Sequence, residues 1–390
     1  MNTHENSQVK LRDQGTEMKL KPSWRSLFSC PLSTRRLLLV DVALALIIAL
    51  LMVAFSQVGD AFFPTYRQLS SGVLRVLSAA FSVVSFSVWP CIAVALIAFF
   101  LALLIRCFVK RNSLVQWFAS LVCVALSLSL MFVGVWGLNH YAPPLSQDLG
   151  LGVGEYSQEE LLDATRYYLN QAAVLADHAP RDQSGSLERQ DFGELAAAAG
   201  SAYEGLETKY PVFSGSTKPV KELLAGDLLL ATGHNGIFVA ITGESSVPAN
   251  TAIGDMPFTM CHEVAHRFGI ASEKEANFAA ILACTSSDDS RFAYAGYLKA
   301  FDYCLGALYA YYPQAVSGVM EKDALVAPVE SYQLVLDDLQ DISAHYQQYV
   351  GPLEEVGTSV NDAYLKSFSQ ESGVRSYGEV VDYLIAWNQD

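Results

Sequence analysis

The stretch MPFTMCHEVAHRFGIASEKEANFAA, residues 256–280, places His262 and His266 four positions apart with Glu263 beside the first. On a helix, positions i and i+4 share one face, about 5–6 Å apart at Cβ. Two imidazoles so placed can reach one Zn2+, which takes histidine nitrogen at about 2.0–2.1 Å and, in catalytic sites, wants a third protein ligand and an open position. Glu263 points past that face, where a carboxylate can take a proton from water polarised by the ion. Gly269 follows His266 by three residues. Glycine is what a helix C-terminus prefers, so the chain is expected to stop there and turn back. Acids arrive at once, at Glu273 and Glu275. Ser272-x-x-Glu275 reads as a capping box opening a new helix, and both acids are candidates for the third ligand. The chemistry such a set performs is hydrolysis by activated water, with one Zn2+ per chain.

Peptide hydrolysis also needs a donor for the tetrahedral oxyanion. The candidates are Tyr294, Tyr297, Tyr364 and Tyr377, with Arg375 and His345 behind them. His234, between glycines, is an alternative third ligand. Cys261 points off the ligand face and is read as packing. Seven cysteines exclude a disulfide-dense scaffold. Cys30, Cys91, Cys107 and Cys123 lie in or beside apolar segments, and one bridge, for example Cys284–Cys304, is open to the rest.

The elements that must position these residues can be read coarsely. Ser157-Gln-Glu-Glu160 is a capping box opening a helix through about 176. A second helix is expected near 188–208. GDLLLATG and GIFVAITGE are short β-type runs flanking a glycine-bounded turn, which predicts a hairpin or two edge strands. Helices are then expected near 257–268, 272–285, 288–311, 328–349, 353–369 and 376–387.

The 390-residue chain has a formal charge of −15, unevenly spread. Residues 1–138 carry +7 and residues 139–390 carry −22. An acidic domain repels phosphates, which excludes nucleic acid as a partner. A polar, basic tail over 1–36 precedes three long apolar runs, predicted as transmembrane helices at about 37–56, 84–105 and 114–138. The lipid bilayer is thus the first partner. A signal peptide fits poorly, since it has one short apolar run near the start. Basic residues crowd the tail and the 106–111 loop, which places the N-terminus in the cytoplasm and the C-terminal part outside it. Segment 61–80 reads equally as an amphipathic helix on the outer interface or as a loop into a long second span. Asp41, in the first span, is expected to snorkel or pair with Arg35 or Arg36. The architecture predicted is a membrane-anchored α+β protein. A tether at 139–156 links the spans to a mostly helical, zincin-like domain over 157–390, with a small β-sheet just upstream of HExxH.

Glu273-Lys-Glu-Ala-Asn277 resembles the ExxA(D/N) element of several gluzincin families. The resemblance implies Glu273 as third ligand, Glu275 as cap and runner-up, and Asn277 as the residue orienting a ligating histidine. EKEANFAA also resembles the E-x-E-A-N-x-F-A element of bacterial peptidases that cleave repressor proteins, although here Phe278 follows Asn277 directly. The metzincin pattern HExxHxxGxxH is similar too, but Ser272 stands at its last ligand position. In zinc peptidases of this class an edge strand precedes the HExxH helix and pairs with extended substrate, a place GIFVAITGE would fill. The chain as a whole resembles a family of uncharacterised bacterial membrane proteins with three N-terminal spans. Its motifs appear here as Pro257–Phe278, YAGYL at 294–298, NDAYLKS at 361–367 and GVRSYGEVVDYL at 373–384. That resemblance implies a membrane-anchored zinc endopeptidase with a peptide or protein substrate.

Two other classes compete. One is a non-catalytic, membrane-anchored zinc-binding domain that binds a cell-envelope partner, against which an intact Glu263 argues. The other is a channel or transporter, for which the spans hold little polar chemistry, Asp41 being their one ionisable residue.

Overall fold

The computed structural model describes residues 27–110, 112–368 and 377–389, with only the backbone for Asp60 and residues 377–379. Most of the expected basic tail lies outside the described residues. Three helices are long and apolar enough to cross a membrane: Leu32–Gly59, Trp89–Lys110 and Leu114–Val135.

The first of these is the N-terminal part of α1, Leu32–Phe81, two helical stretches that meet at a kink at Val58. Val58 leaves helical geometry (φ −135°, ψ 17°) and Pro64 lies inside the helix. Proline has no N–H and its ring crowds the carbonyl four residues back, which accounts for a kink in the preceding turn. Asp41 is buried and pairs with neither Arg35 nor Arg36, which are exposed. At about 100° per residue, five or six positions carry it away from their faces; it lies beside Cys123 instead.

Segment 61–80 is helical, but it does not lie free on an interface. It packs on the C-terminal part of the chain. Arg67 makes a two-pronged ion pair with Asp148 at 2.9 and 2.8 Å. Arg75 donates to Ser214 Oγ at 2.9 Å, and Ser78 meets Ser216 at 2.9 Å. Gly243 lies where any Cβ would come within 2.8 Å of the Ser78 nitrogen, so the helix backbone is in direct contact with a turn of the domain. The second span, α2 (Trp89–Lys110), starts later than expected. Residues 85–87 are extended instead and exchange hydrogen bonds with Glu222 (Ser87 N to Glu222 O 2.8 Å; Glu222 N to Ser85 O 3.2 Å). The third, α3 (Leu114–Val135), ends three residues earlier than expected, and Gly137–Tyr141 forms a 3-10 turn.

Beyond α3 follow α4 (Leu145–Leu149), α5 (Gln158–Ala176), α6 (Phe192–Ser201), α7 (Glu204–Lys209), β1 (Lys221–Glu222), α8 (Gly226–Leu230), β2 (Ile237–Val239) and β3 (Glu244–Val247). The remaining helices are α9 (Met256–Arg267), α10 (Glu273–Thr285), α11 (Ser290–Tyr311), α12 (Val329–Gln347), α13 (Pro352–Ser367) and α14 (Tyr377–Gln389). The segment expected as a tether is packed: Leu145, Leu149 and Leu151 join the main core. The capping box at Ser157 and Glu160 is formed. GDLLLATG is not a strand, since its first five residues form α8. A short apolar run does not distinguish strand from helix by periodicity, and the hairpin lies wholly within and after GIFVAITGE.

The sheet has the order β1-β3-β2. β1 runs parallel to β3, and β2 antiparallel to it, with Ile237 opposite Ser246 and Val239 opposite Glu244. Within the sheet β2 is therefore an edge. A buried ion pair, Lys221 Nζ to Glu244 Oε1 at 2.7 Å, ties β1 to β3. The core centres on α9, α10 and α11. Small residues on α10 (Ala279, Ala280, Ala283, Cys284) are fully buried and allow close approach. A Cβ at Gly296 of α11 would come within 2.6 Å of Cys284 Cβ. Phe278 and Phe292 fill the space beside them, each such buried side chain contributing about 1.5–3 kcal/mol. Cys284 and Cys304 are both buried and unbridged.

Candidate metal centre

Helix α9 starts at Met256 with Pro257 in its first turn, where a missing N–H costs nothing. It ends as the glycine predicts. Gly269 has φ +89°, its N–H bonds the His266 carbonyl at 3.0 Å, and the Ile270 N–H bonds the Ala265 carbonyl at 3.2 Å. This paired closure in the left-handed conformation stops the helix one turn after His266. An extended Ser272 (φ −72°, ψ 125°) then leads into α10, whose first residue is Glu273. The turn brings Glu273 back onto the histidine face.

One ligand atom each from His262, His266 and Glu273 lies within 4.8 Å of the others, a group that could hold a metal ion. His262 Nε2 lies 3.3 Å from Glu273 Oε2, and His266 Nε2 lies 3.7 Å from Glu273 Oε1. His266 is fixed from behind, its Nδ1 on the Ile270 carbonyl at 2.7 Å. Glu263 is buried, and its Oε2 has no hydrogen-bond partner among the described residues. A Cβ at Gly236, just before β2, would sit 2.5 Å from Glu263 Oε1. Glycine there lets the edge strand lie directly against the carboxylate. β3 is stitched to the same helix, with Ser245 Oγ donating to the Glu263 carbonyl at 2.6 Å and Arg267 Nε donating to Ser245 Oγ at 3.0 Å.

Burial pushes Glu263 up to about 7, against the pull of His262 and His266. Burial opposes charge on His266, yet Glu273 alongside raises it to about 9. Glu273 is held well below the usual carboxylate range, its burial outweighed by the two imidazoles. Buried Arg267 is lowered to about 10 by desolvation.

The other predicted residues divide. Tyr364, on α13, is at the site. Its hydroxyl lies 2.7 Å from His140 Nε2, and burial followed by the nearby charge of Glu273 raises its phenol. Tyr294 is elsewhere, its hydroxyl donating to Asp338 in a network with Arg181. Tyr297 stands near Tyr168, and His345 lies beside Tyr346 and Tyr349. The Tyr377 side chain and Arg375 lie outside the described residues. His234 bonds Thr232 Oγ1 at 3.1 Å and is not in the cluster. The predicted capping box at Ser272 is not formed, as Ser272 makes no cap bond. Glu275 instead accepts from the Leu145 N–H at 2.9 Å and the Tyr383 hydroxyl at 2.8 Å, so it anchors α4 and α14 rather than the ligand set. Asn277 is half-buried and orients neither histidine, and His262 Nδ1 is buried with no partner among the described residues.

Sequence reasoning missed His140 and Trp136. The Trp136 indole donates to the His266 carbonyl at 2.8 Å. The His140 ring lies 5.4 Å from that of Trp136 and stacks on Phe368 at 4.4 Å. Burial, then the charge of His266, lowers His140 to about 4. The available signal was an aromatic and a histidine four apart in WGLNH, directly after an apolar run; it was read as a span end and a tether.

Fold and site together define a mostly helical, membrane-associated protein with a two-histidine, one-glutamate cluster beside a small sheet. Residues 66–385 match the family model described as Protein of unknown function (DUF3810), which covers most of the chain, and the chain belongs to this family. No curated protein and no solved structure matches the chain.

Proposed function

We propose that this protein is a membrane-anchored zinc endopeptidase with a zincin-like site. The observation that carries the reading is the convergence of His262, His266 and Glu273 within 4.8 Å beside a buried Glu263. Two imidazoles and a carboxylate fit the ligand set of a catalytic zinc. The orphaned Oε2 of Glu263 is an acceptor placed for a water proton. Zinc held there supplies a Lewis acid and brings the pKa of water down to about 7.

The chain's own residues do the rest. Glu263 takes the proton from the attacking water and delivers it to the leaving amine, a role suited to a carboxyl poised near neutrality. The free edge of β2 receives the substrate as an added strand, its backbone paired in the manner of sheet augmentation. Gly236 lets that strand pass close to Glu263. The Tyr364 hydroxyl, held by His140, is the donor for the developing oxyanion. Neutral His140 sits near the cluster without adding a competing positive charge. The excess of basic residues before the first span and between the second and third puts the site outside the cytoplasm.

The test uses the full-length chain purified in detergent, as wild type and Glu263→Gln. Zinc content is measured beside cleavage of an unbiased peptide library. Zinc in both with cleavage by wild type alone supports the reading. Zinc in both with cleavage by neither leaves a zinc-binding domain without this activity, and zinc in neither removes the site.

A further inference from the structure

The metal cluster is built on the ends of two membrane-crossing helices. The span of α1 ends at Gly59 and that of α3 at Val135. A Cβ at Gly59 would contact Tyr141 at 3.9 Å, so the two ends meet at the 3-10 turn that carries His140. Trp136, the residue after α3, bonds the carbonyl of ligand His266. Tyr364 packs against an apolar cluster of Val133, in the last turn of α3, Leu138 and Phe368, and Ile48, Met52 and Phe55 of α1 pack against the same cluster. Trp136 leaves helical geometry (φ −142°, ψ −40°), so the 3-10 turn does not extend the axis of α3. His140 stacks on Phe368, whose ring lies 6.4 Å from that of Phe132 in α3, and so stays beside the end of that helix.

Resting on the peptidase reading, we infer that the substrate is itself membrane-anchored, a polypeptide cut within the first few residues outside its own span. Extended chain covers about 3.3 Å per residue, so a bond held beside the ends of these two helices lies within the first few residues outside a substrate's own span. β2 is an edge of the sheet, with β3 as its one neighbour among the described strands, and an edge strand is where backbone N–H and C=O groups can take an added strand. A polypeptide strand matches these, whereas a lipid headgroup offers no repeating partner. The cut is ordinary hydrolysis. Water oxygen bonds the carbonyl carbon, the C–N bond breaks, and the water proton leaves with the amine. One product stays in the membrane and the other is released.

The test reconstitutes the zinc-loaded full-length chain in phosphatidylcholine vesicles with a designed reporter. The reporter has one apolar span of about 20 residues, then two identical copies of a segment of about ten residues drawn from a randomised library. A Gly/Ser spacer of about 30 residues, reaching about 30 Å, separates the copies, and a fluorescent protein follows. Because both copies share one molecule, surface concentration does not distinguish them. Mass spectrometry of the products should show the span-proximal copy cut at least about tenfold more often. Glu263→Gln should cut neither copy yet co-purify with the reporter, and should lose it when the proximal copy alone is replaced by Gly/Ser. Equal cutting of both copies that depends on Glu263 would overturn this inference and leave the peptidase reading standing. Zinc binding with neither copy cut or retained would remove both.

Discussion

The indole nitrogen of Trp136 donates to the main-chain carbonyl of His266 at 2.8 Å, and the Gly269 N–H reaches the same oxygen at 3.0 Å. The residue that follows a helix long and apolar enough to cross a membrane thereby holds the last turn of the HExxH helix. Trp136→Phe keeps most of the ring and removes the donor. The expected cost is about 1 kcal/mol of stability and about tenfold in zinc affinity, the scale on which groups supporting metal ligands act. Thermal melting with and without zinc, and competition against a chelating dye, read the two effects.

Substitution separates the proposed ligand set from its runner-up. His262→Ala, His266→Ala and Glu273→Ala should each weaken zinc binding by about 100-fold or more, since each removes one of the three proposed ligands. Glu275→Ala should leave zinc affinity within about threefold and lower the melting temperature, because it removes the oxygen that accepts from Leu145 and Tyr383 and each lost bond is worth about 1 kcal/mol. A large loss of zinc in Glu275→Ala would move the third ligand to that residue.

Glu263 carries a pH signature in chelator-treated protein. Its carboxyl is raised from 4.5 to about 7 by burial. Between those values the folded state holds a proton that the unfolded chain has released, so stability falls as pH rises through the window and the loss is complete above about pH 7. Glutamine imitates the protonated acid. Glu263→Gln should therefore melt with wild type near pH 4.5 and above it at pH 8, by a margin of order 3 kcal/mol. His140, lowered to about 4, pulls wild type the other way, but it is common to both proteins and cancels in the difference.

Tyr364→Phe tests the oxyanion donor. The ring packs against Phe132 and Phe368, so phenylalanine keeps the apolar contact and removes the hydroxyl alone. The expectation is a fall in kcat of about 100-fold with KM little changed, as for loss of a donor used in the transition state. Zinc affinity should be unchanged. An equal rise in KM would place the hydroxyl on the bound substrate instead.

The convergence of His262, His266 and Glu273 was legible in the sequence because it is local. Helical spacing pairs His262 with His266, and the Gly269 stop returns Glu273 within a few residues, so both relationships follow from backbone geometry at short range. The strand was legible in part: GIFVAITGE reads as β-type, but the turn falls inside it, after Val239, and not at the glycines before it, and β2 pairs with Glu244–Val247. The misread parts are long-range. Ser272-x-x-Glu275 has the right spelling for a cap, but nothing in it says that Leu145, 130 positions away, takes the carboxylate. GDLLL has too few residues for periodicity to tell strand from helix. His140 sits after an apolar run, where aromatic and polar residues are usual at a membrane boundary, and only the folded chain puts it beside Tyr364. Segment 61–80 was recognisable as amphipathic, but the surface that takes its polar face is contributed by residues more than 70 positions later.

The second stretch of α1, past the kink at Val58, and the strand-like residues 85–87 bear on how this domain is made and lost. Parts of its body lie between the first and second spans, and the rest follows the third. During synthesis the early piece must wait at the membrane surface, unpartnered, until the later piece emerges to cover it. Once assembled, the domain is sewn to the bilayer on both sides of the α2–α3 hairpin. A single nick after α3 would not shed it, because Arg67, Arg75 and Leu74 would still hold it from the other side.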